Sequence, residues 1–383
     1  MKKLTLLLTS TLTILAGTII SPAIPVIEKI LDPGGGISMT VSLILTITSL
    51  FIAIGAPVSG WIADTYGRKK LLLASLVLYA IAGSAGLFLE TAPEILISRM
   101  ILGFAVSGIM NSSTTLIADY LSGEEREQFL GYQVAFMAIG GFVFLSAGGL
   151  LASIWWRAPF AIYFVSLFLI PLVYIVIDEP VQVSQEDRSA LDFHFSKPLF
   201  AIIVLSGMMG MMLYFLIPTR ITFYLDIYHN LSPHLMGLFM GTGAISISFV
   251  ASRYRHIHTR VSKPFIYAIS FLIVGLGLEL IAHVEGIVYV FAAVVITGLG
   301  FGLNLPNSTV WVTEIAPTPF RGRMIGILTS AVFLGQFLST LFGEPLFRSN
   351  GLKGITGVYG VGGLVALTIG VSYGIMGIYQ RRH

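Results

Sequence analysis

The residues best placed to do chemistry are a few polar side chains inside long apolar stretches of the sequence. Arg99, Ser107 and Asn111 recur at multiples of four residues, so a helix would present all three on one face. An ionisable group within such a stretch is costly to bury and is a functional candidate by default. We therefore predict that Arg99 holds an anionic group or modulates a nearby proton site. The structural alternative is an arginine whose side chain extends to a polar boundary.

A second set of candidates lies on other stretches. Arg220 follows Pro218 and is predicted to be a gate or an anion contact, again with extension to a polar boundary as the alternative. The uncharged candidates are Gln133, Met211, Phe215, Asn304, Asn307 and Gln336. The methionine and phenylalanine among them form an adaptable apolar stripe, which suits a loosely specified ligand. For either residue alone, ordinary packing is the alternative.

Several kinds of chemistry are disfavoured by the sequence. The chain has no cysteine, which excludes disulfides and thiolate chemistry. The run Gly34–Gly36 is not followed by Lys-Ser or Lys-Thr, so it is not a phosphate-binding loop. His256 and His258 stand beside arginines, which disfavours a cation site. We predict no enzymatic activity, no metal and no bound cofactor.

The apolar stretches are the elements that must position these residues. The chain is 55% hydrophobic and 11% charged, and its mean hydropathy is +0.89, whereas a soluble domain carries about 25% charged residues. Each stretch is long enough to span a bilayer core of ~30 Å, where only a helix satisfies its own backbone groups. The twelve stretches are 4–30, 38–63, 70–89, 94–120, 128–153, 157–177, 198–225, 232–252, 264–283, 286–314, 322–347 and 352–379. The first is longer than the apolar core of a signal peptide, about 7–15 residues, so we predict an uncleaved helix.

The placement of lysine and arginine predicts the orientation. If the N-terminus is inside, all but six of the 22 lysines and arginines fall in inside segments. The six exceptions are Lys29, Arg99, Arg157, Arg220, Arg348 and Lys353. The inner loops of membrane proteins carry an excess of lysine and arginine. We predict a multi-pass protein of the bacterial cytoplasmic (inner) membrane with both termini cytoplasmic.

The two halves of the chain resemble each other at an offset of 195 residues. Asp119 corresponds to Glu314 and Arg126 corresponds to Arg321, each pair across the fourth span and the loop after it. Two parallel repeats of six helices are the architecture of a two-lobed transporter with its binding site between the lobes. We predict an all-α integral membrane fold with two pseudo-symmetric six-helix bundles, 1–177 and 198–383, joined by a cytoplasmic linker, 178–197.

The loop after the second span carries the most specific motif. It reads Gly60-Trp61-Ile62-Ala63-Asp64-Thr65-Tyr66-Gly67-Arg68-Lys69-Lys70. This resembles the signature of the major facilitator superfamily, with Thr65 in place of the usual basic residue. From the residues alone, Gly60 allows close helix packing, Asp64 accepts charge-assisted hydrogen bonds and Gly67 permits a tight turn.

By that resemblance, the loop is a conformational latch and not a substrate site. The latch residues implied are Gly60, Asp64, Gly67, Arg68, Asp119 and Arg126. The corresponding loop of the second half, 253–258, has no acid. We therefore expect the latch to be asymmetric between the two lobes.

Two weaker motifs resemble the drug–proton antiporters within that superfamily. Arg99 followed four residues later by Gly103 is similar to their motif in the fourth helix, with Leu102 where a glutamine is common. The fifth span repeats the glycine spacing of their antiporter motif at Gly131, Gly140, Gly148 and Gly149. Its central Gly-Pro pair is Phe144-Leu145 here.

The resemblance implies a secondary active transporter that works by alternating access. We expect proton-coupled export of small amphipathic or hydrophobic compounds, with the proton as possible coupling ion. A desolvated carboxylate is the usual proton carrier, yet Glu28, Glu279 and Glu344 lie towards the outer ends of their spans. Alternatives are a uniporter or symporter of a small organic anion, motivated by Arg99 and Arg220, and more remotely a non-transporting membrane sensor. The expected partners are a small-molecule substrate and the lipid bilayer, without nucleic acid, and the expected state is a monomer.

Overall fold

The helices account for nearly all of the described chain. A computed structural model describes residues 1–31, 39–121, 123–179, 196–316, 321–350 and 353–382. The α-helices in these ranges are α1 Lys2–Thr18, α2 Ile24–Leu31, α3 Met39–Tyr66, α4 Arg68–Ser84, α5 Ala92–Tyr120, α6 Gly123–Ile154, α7 Val165–Val176, α8 Lys197–His229, α9 Pro233–Ala251, α10 Tyr254–His258, α11 Lys263–His283, α12 Ile287–Ile315, α13 Arg321–Asn350 and α14 Lys353–Arg382. Most of the predicted linker, 180–195, lies outside the described residues.

The helices form the predicted set of membrane crossings. Eleven segments of the described chain are long and apolar enough to cross a bilayer, and α6 contains a shorter apolar stretch, Ile139–Ile154. The first crossing is α1 and α2 with a 3-10 turn, Ser21–Ala23, between them, where Pro22 and Pro25 interrupt a regular helix. The sixth is a 3-10 segment, Ala158–Phe164, that continues into α7. The all-helical membrane fold is therefore confirmed.

The starts of several helices are fixed by local sequence. Thr91 and Glu94 form a reciprocal capping box at the start of α5. The side chains of Ser196 and Ser232 accept hydrogen bonds from backbone N–H groups in the first turns of α8 and α9. Each of these first turns also contains a proline. These caps set where the crossings begin and so fix the register of the residues inside them.

The crossings give the molecule two faces and two halves. We call the face that holds both chain ends and the α3–α4 turn the terminal face, and the face that holds the α8–α9 turn the far face. α6 begins at the terminal face and ends at the far face, and α9 runs in the opposite direction. We call helices α1–α7 the N lobe and helices α8–α14 the C lobe.

The lobes meet along two helix pairs. α6 of the N lobe packs against α9 of the C lobe, and α3 packs against α13. Within the N lobe the closest partners are α3 with α5, and within the C lobe α11 packs on both α12 and α14. Of the helices that carry the predicted candidates, α6, α8 and α13 pack against the opposite lobe, whereas α5 and α12 pack mainly within their own lobes.

Candidate functional site

Arg99 lies inside the N lobe and is fully buried. Its Nη2 atom donates hydrogen bonds to the carbonyl oxygens of Ala82, at 2.9 Å, and Gly83, at 2.6 Å. These carbonyls belong to the last turn of α4, which ends at Ser84. The final carbonyls of a helix have no partner within the helix and carry partial negative charge. Arg99 therefore caps the end of α4, and the alternative of a side chain that extends to a polar boundary is wrong.

Two aromatic rings complete the surroundings of Arg99. The guanidinium carbon lies 5.1 Å from the ring centre of Phe160 and 5.0 Å from that of Tyr163, within cation–π range. Gly83 and Gly86 leave room for these rings, since a Cβ at either glycine would lie closer than 3.0 Å to Tyr163 or Phe160. Arg99 Nη1 has no hydrogen-bond partner among the described residues. The side chain thus ties α5 to α4 and to the sixth crossing, and its substrate role stays a prediction.

Arg220 lies at the junction of the lobes. It is fully buried in α8, and its Nη2 atom lies 3.2 Å from Oε2 of Glu344 on α13. The other guanidinium nitrogen, Nη1, donates to Oγ of Ser42 on α3 of the opposite lobe at 3.4 Å. Glu28, also buried, acts on the same guanidinium electrostatically from α2. The sequence alternative in which Arg220 extends to a polar boundary is therefore wrong, and a gate position agrees with its contacts.

Further polar contacts join the lobes on both sides of Arg220, two of them deeper in the membrane and one at the far face. Ser21 Oγ donates to the carbonyl oxygen of Pro218 at 2.6 Å. The hydroxyls of Thr46 and Thr340 lie 2.8 Å apart. At the surface, Lys29 Nζ and Asp226 Oδ2 form an ion pair at 2.7 Å. We call this group of contacts, together with Arg220, Glu344, Glu28 and Ser42, the far-face closure.

The glycines of the fifth crossing lie at close helix contacts. A Cβ at Gly148 would lie closer than 3.0 Å to the carbonyl oxygen of Ile19, and one at Gly149 equally close to that of Pro233. Gly140 faces the Thr11 side chain on α1. The backbones of α6 and α9 therefore touch across the lobe junction. The side-chain surroundings of Gly131 lie outside the described residues.

In the N lobe the polar candidates form hydrogen bonds with a neighbouring hydroxyl or with the backbone. Gln133 Nε2 donates to Ser10 Oγ on α1 at 2.7 Å. Asn111 Nδ2 donates to the Ala56 carbonyl oxygen on α3 at 2.7 Å. Ser107 donates to a carbonyl oxygen of its own helix. Gln133 and Asn111 therefore hold α6 to α1 and α5 to α3.

In the C lobe the two asparagines of α12 differ in their contacts. Asn307 accepts a hydrogen bond from the Tyr254 hydroxyl at 2.8 Å and donates to the Lys263 carbonyl oxygen at 3.1 Å. Asn304 is 1% exposed, yet neither amide atom has a hydrogen-bond partner in the described chain. Gly210 on α8 leaves room for this amide, because a Cβ there would lie closer than 3.0 Å to it. Asn304 therefore keeps unused hydrogen-bonding capacity beside α8.

Two aromatic rings and the remaining candidates lie on α8, α12 and α13. Tyr214 of α8 stacks on Phe301 of α12, with ring centres 4.4 Å apart. Phe215 is buried, while Met211 is partly exposed. Gln336 is buried on α13, and its Nε2 lies next to Gly17 of the opposite lobe. The mid-membrane candidates are thus uncharged on both sides of the lobe junction.

The predicted latch lies at the terminal face. Arg68 forms an ion pair with Asp119, which joins α4 to the end of α5. Gly67 adopts φ of 102°, a conformation that favours glycine, and makes the turn between α3 and α4. A Cβ at Gly60 would meet no described atom within 4 Å, so the close packing predicted there is absent from the described part of the chain. The side chains of Asp64 and Arg126 lie outside the described residues.

A carboxylate that the sequence did not assign completes this network. Glu179, just after α7, accepts hydrogen bonds from the backbone N–H groups of Arg68 at 2.6 Å and Lys69 at 3.0 Å. It therefore caps the N-terminus of α4, where negative charge is favoured. Beside it, the hydrogen bond and charge of Lys2 lower the pKa of Asp178.

The two sites that sequence reasoning missed have the same cause. The cap by Glu179 and the cluster of Glu28, Ser42 and Glu344 around Arg220 join residues more than a hundred positions apart. The available signal was the presence of an acid or hydroxyl near the same end of several spans. That signal predicts how deep each side chain lies in the membrane. It does not predict which helices are neighbours.

The polar contacts differ between the two faces. At the terminal face, the described ion pairs join residues of one lobe, such as Lys2 with Asp178 and Lys263 with Glu314. The far-face closure instead joins the two lobes. A two-lobed helical membrane protein that is closed between its lobes at one face belongs, as a class, to the membrane transporters with a binding site between repeats.

Comparisons with known proteins define the family. The family model of the Major Facilitator Superfamily matches residues 6–340 and 229–377. The chain therefore belongs to the major facilitator superfamily, a family of membrane transporters.

Relatives of several transport functions are similar to this chain. It is 25% identical to the minor myo-inositol transporter IolF of Bacillus subtilis (strain 168) over 85% of this chain and 77% of that protein. It is also 25% identical to Multidrug resistance protein 1 of the same organism, over 90% and 89% of the two chains. The inward-open structure of the xylose transporter XylE from E. coli superposes with a TM-score of 0.77 at 18% identity, covering 96% and 94%.

Proposed function

We propose that this transporter exports small amphipathic or hydrophobic compounds in exchange for protons. The observation that carries the proposal is the contrast between the two faces. The lobes are joined by the far-face closure, while the terminal-face ion pairs of the described residues stay within single lobes. Alternating access requires such a difference. With the terminal face at the cytoplasm, as the basic residues predict, this conformation receives substrate from inside.

The mid-membrane side chains support an amphipathic substrate. Tyr214, Phe301 and Met211 offer an apolar surface, and Asn304 offers an amide without a partner among the described residues. The described candidates at this depth carry no charge. An adaptable apolar site with few polar groups favours ligands of varied shape. The similarity to a multidrug resistance protein along 90% of the chain agrees with this choice.

Proton coupling is supported by the carboxylates at the lobe junction. Glu28 and Glu344 are both buried and both act on Arg220. The N lobe has no acid near the midplane in its sequence, but these two acids lie on a contact that must open when access alternates. Desolvated carboxylates of this kind are the common proton carriers in membrane transport.

The experiment is transport in proteoliposomes that contain only this protein. The lumen is made acidic, so protons can leave through those molecules whose terminal face is outside. We expect these molecules to accumulate a lipophilic dye in the lumen. Collapse of the proton gradient should abolish this accumulation. Protein-free liposomes supply the background. Accumulation that is unchanged without a proton gradient would contradict coupling.

A second candidate is the transport of a small neutral polyol. The similarity to the myo-inositol transporter covers 85% of the chain, and the buried amides of Gln336 and Asn304 are suited to hydroxyl groups. Uptake of labelled myo-inositol by the same proteoliposomes, without competition by the dye, would favour it.

The contacts of the two arginines do not favour the organic-anion alternative. Arg99 binds two carbonyl oxygens and Arg220 binds Glu344, so the described contacts of both guanidinium groups are to the protein itself. An anion that competes with dye transport in these proteoliposomes would restore this alternative.

A further inference from the structure

The segment between α9 and α11 at the terminal face carries positive charge without an acid. Residues 252–263 include Arg253, Arg255, Arg260 and Lys263 and contain no aspartate or glutamate. Backbone hydrogen bonds run through most of this segment, so it is a compact turn around the short helix α10. The three arginines are exposed, and we call them the basic edge.

The apolar side chains of the same segment fix it against the C lobe. Tyr254 is buried and packs with Ile266 of α11 and Leu303 of α12. Ile257 and Val261 pack against this cluster as well. Because these side chains are turned towards the protein, the basic edge is held at the outside of the C lobe.

The basic edge lies at the depth where phospholipid headgroups are expected. α9 has 19 residues and ends at Ala251. A helix of that length rises about 28 Å, close to the ~30 Å thickness of the hydrocarbon core. Arg253 follows two residues after the end of the helix, so its backbone leaves the hydrocarbon core at this level.

The side chain of Arg253 is turned back along a lipid-facing surface. The glycines of α9 face α6 and α12, whereas Ile245 and Phe249, one turn apart, lie on the opposite face and are 50% and 54% exposed. The guanidinium carbon of Arg253 lies 3.9 Å from the ring centre of Phe249. Its Nη1 atom donates to the Phe249 carbonyl oxygen at 3.1 Å. Arg253 is thereby held directly above the apolar track along which an acyl chain would lie.

The two lobes differ in how their basic loops are neutralised. In the N lobe, Arg68 forms an ion pair with Asp119. The repeat partner of Asp119 is Glu314, which pairs with Lys263 and His258. The ion pairs of the described residues therefore leave the basic edge without an acid. Arginine suits a phosphate group in particular, because its planar guanidinium donates two parallel hydrogen bonds.

We propose that the basic edge binds the phosphate of an anionic phospholipid in the leaflet at the terminal face. Arg253 contacts the phosphate, while the acyl chains follow the exposed face of α9. Arg255 and Arg260 add the charge that selects an anionic headgroup over a zwitterionic one. The site is separate from the far-face closure, and the proposal does not depend on the transported compound or on proton coupling.

The test is lipid binding by the purified full-length protein. The protein in detergent is titrated with phosphatidylglycerol or with phosphatidylcholine of the same acyl chains, and bound lipids are counted by native mass spectrometry. Phosphatidylcholine keeps the phosphate and the acyl chains but has no net charge. We expect phosphatidylglycerol to bind more tightly to the parent protein. Inorganic phosphate at millimolar concentration should leave the bound phosphatidylglycerol unchanged.

Variants assign the binding to the basic edge. Arg253→Gln, Arg255→Gln and Arg260→Gln should each weaken phosphatidylglycerol binding about fivefold, and their combination roughly a hundredfold, as expected for basic residues at an anionic membrane surface. Binding of phosphatidylcholine should stay as in the parent. The matched control removes the same charge by glutamine substitution of three other exposed basic residues of the terminal face, which are Lys70, Lys197 and Arg323. It should bind phosphatidylglycerol like the parent.

Each outcome decides the proposal. Equal affinities of the parent for the two lipids overturn it, and an equal loss of binding in the control variant overturns the assignment to the basic edge. Displacement of phosphatidylglycerol by inorganic phosphate identifies a soluble anion as the ligand and also overturns it. If the triple variant does not fold, the single variants decide, and unchanged affinity in all three contradicts the proposal. Because binding is measured without transport, a failure of dye export leaves this result as it is.

Discussion

Arg99 shows how a charged residue in a membrane-spanning helix can serve the fold. Its guanidinium donates to two carbonyl oxygens in the last turn of α4 and lies over two aromatic rings of the sixth crossing. The corresponding residue of the second repeat is Val294, which is also buried. The two repeats therefore share a buried position here but not its chemistry.

Replacing Arg99 should destabilise the N lobe. Arg99→Ala leaves the carbonyls of Ala82 and Gly83 without a donor, and hydrogen bonds to charged groups are each worth about 1.5–3 kcal/mol. The stability of Arg99→Lys should lie between that of the parent and that of Arg99→Ala, because lysine keeps the charge but lacks the planar group that stacks on the rings. Thermal unfolding in detergent measures the effect. Arg157→Ala, which removes a more exposed arginine, is the control, and an equally stable Arg99→Ala that fails to transport would indicate a direct functional role.

The two asparagines of α12 make a second prediction. Asn307→Ala should be the more destabilising change, because it leaves the buried Tyr254 hydroxyl without its acceptor, at about 1–3 kcal/mol, and also removes a hydrogen bond to the Lys263 carbonyl oxygen. Asn304→Ala removes an amide that has no described partner and should alter stability little while it weakens dye binding. Thermal unfolding and fluorescence titration separate the two effects. A reversed order of stability would show that Asn304 has a structural role.

At the scale of the helix, α6 and α9 approach each other closely where Gly149 lies against Gly237. Cβ atoms at Gly149 and Gly237 would lie closer than 3.0 Å to backbone carbonyl oxygens of the facing helix. Small residues allow such close approach in membrane helices.

Gly149→Val should therefore prevent the far face from closing. The added side chain meets backbone, which cannot rotate away. Spin labels on cysteines that replace the exposed residues Ile30 on α2 and Ile227 on α8 should therefore show long separations, and transport should be lost. The control is Gly357→Val, since a Cβ at Gly357 meets no described atom within 4 Å. Short separations in Gly149→Val would mean that the helices can move apart without opening the closure.

The start of α4 depends on a residue from the beginning of the linker. Glu179→Ala removes the cap from the backbone N–H groups of Arg68 and Lys69, and an N-terminal cap is worth about 0.5–2 kcal/mol. Hydrogen exchange should rise over the first turn of α4 and not elsewhere. Glu125→Ala, which loses a surface pair with Lys3, is the control. Unchanged exchange would show that water replaces the carboxylate.

Much of the element-level structure was predictable. Apolar stretches of the right length gave the crossings, and the caps at Thr91 and Ser232 mark where two of them begin. What Arg220 touches was not predictable, because its partners are fixed by how three other helices pack. A side chain's depth follows from its own helix, whereas its neighbour depends on the whole arrangement.

For the whole molecule, the faces and the membrane orientation can be tested together. Tyr66→Cys at the terminal face and Ile227→Cys at the far face are both exposed. A membrane-impermeant thiol reagent should label Ile227→Cys in intact cells and Tyr66→Cys only in everted vesicles, as the excess of inner basic residues predicts. The cysteine-free parent shows the background. Labelling of Tyr66→Cys in intact cells would reverse the orientation and, with it, the direction of the proposed transport.

The bare contact between α6 and α9 also bears on how fast the lobes exchange conformations. Interlocked side chains must change rotamers before two helices can turn against each other, but a contact between glycines requires no such change. A side chain larger than glycine at Gly149 or Gly237 is therefore expected to slow the exchange between conformations even in a protein that still folds.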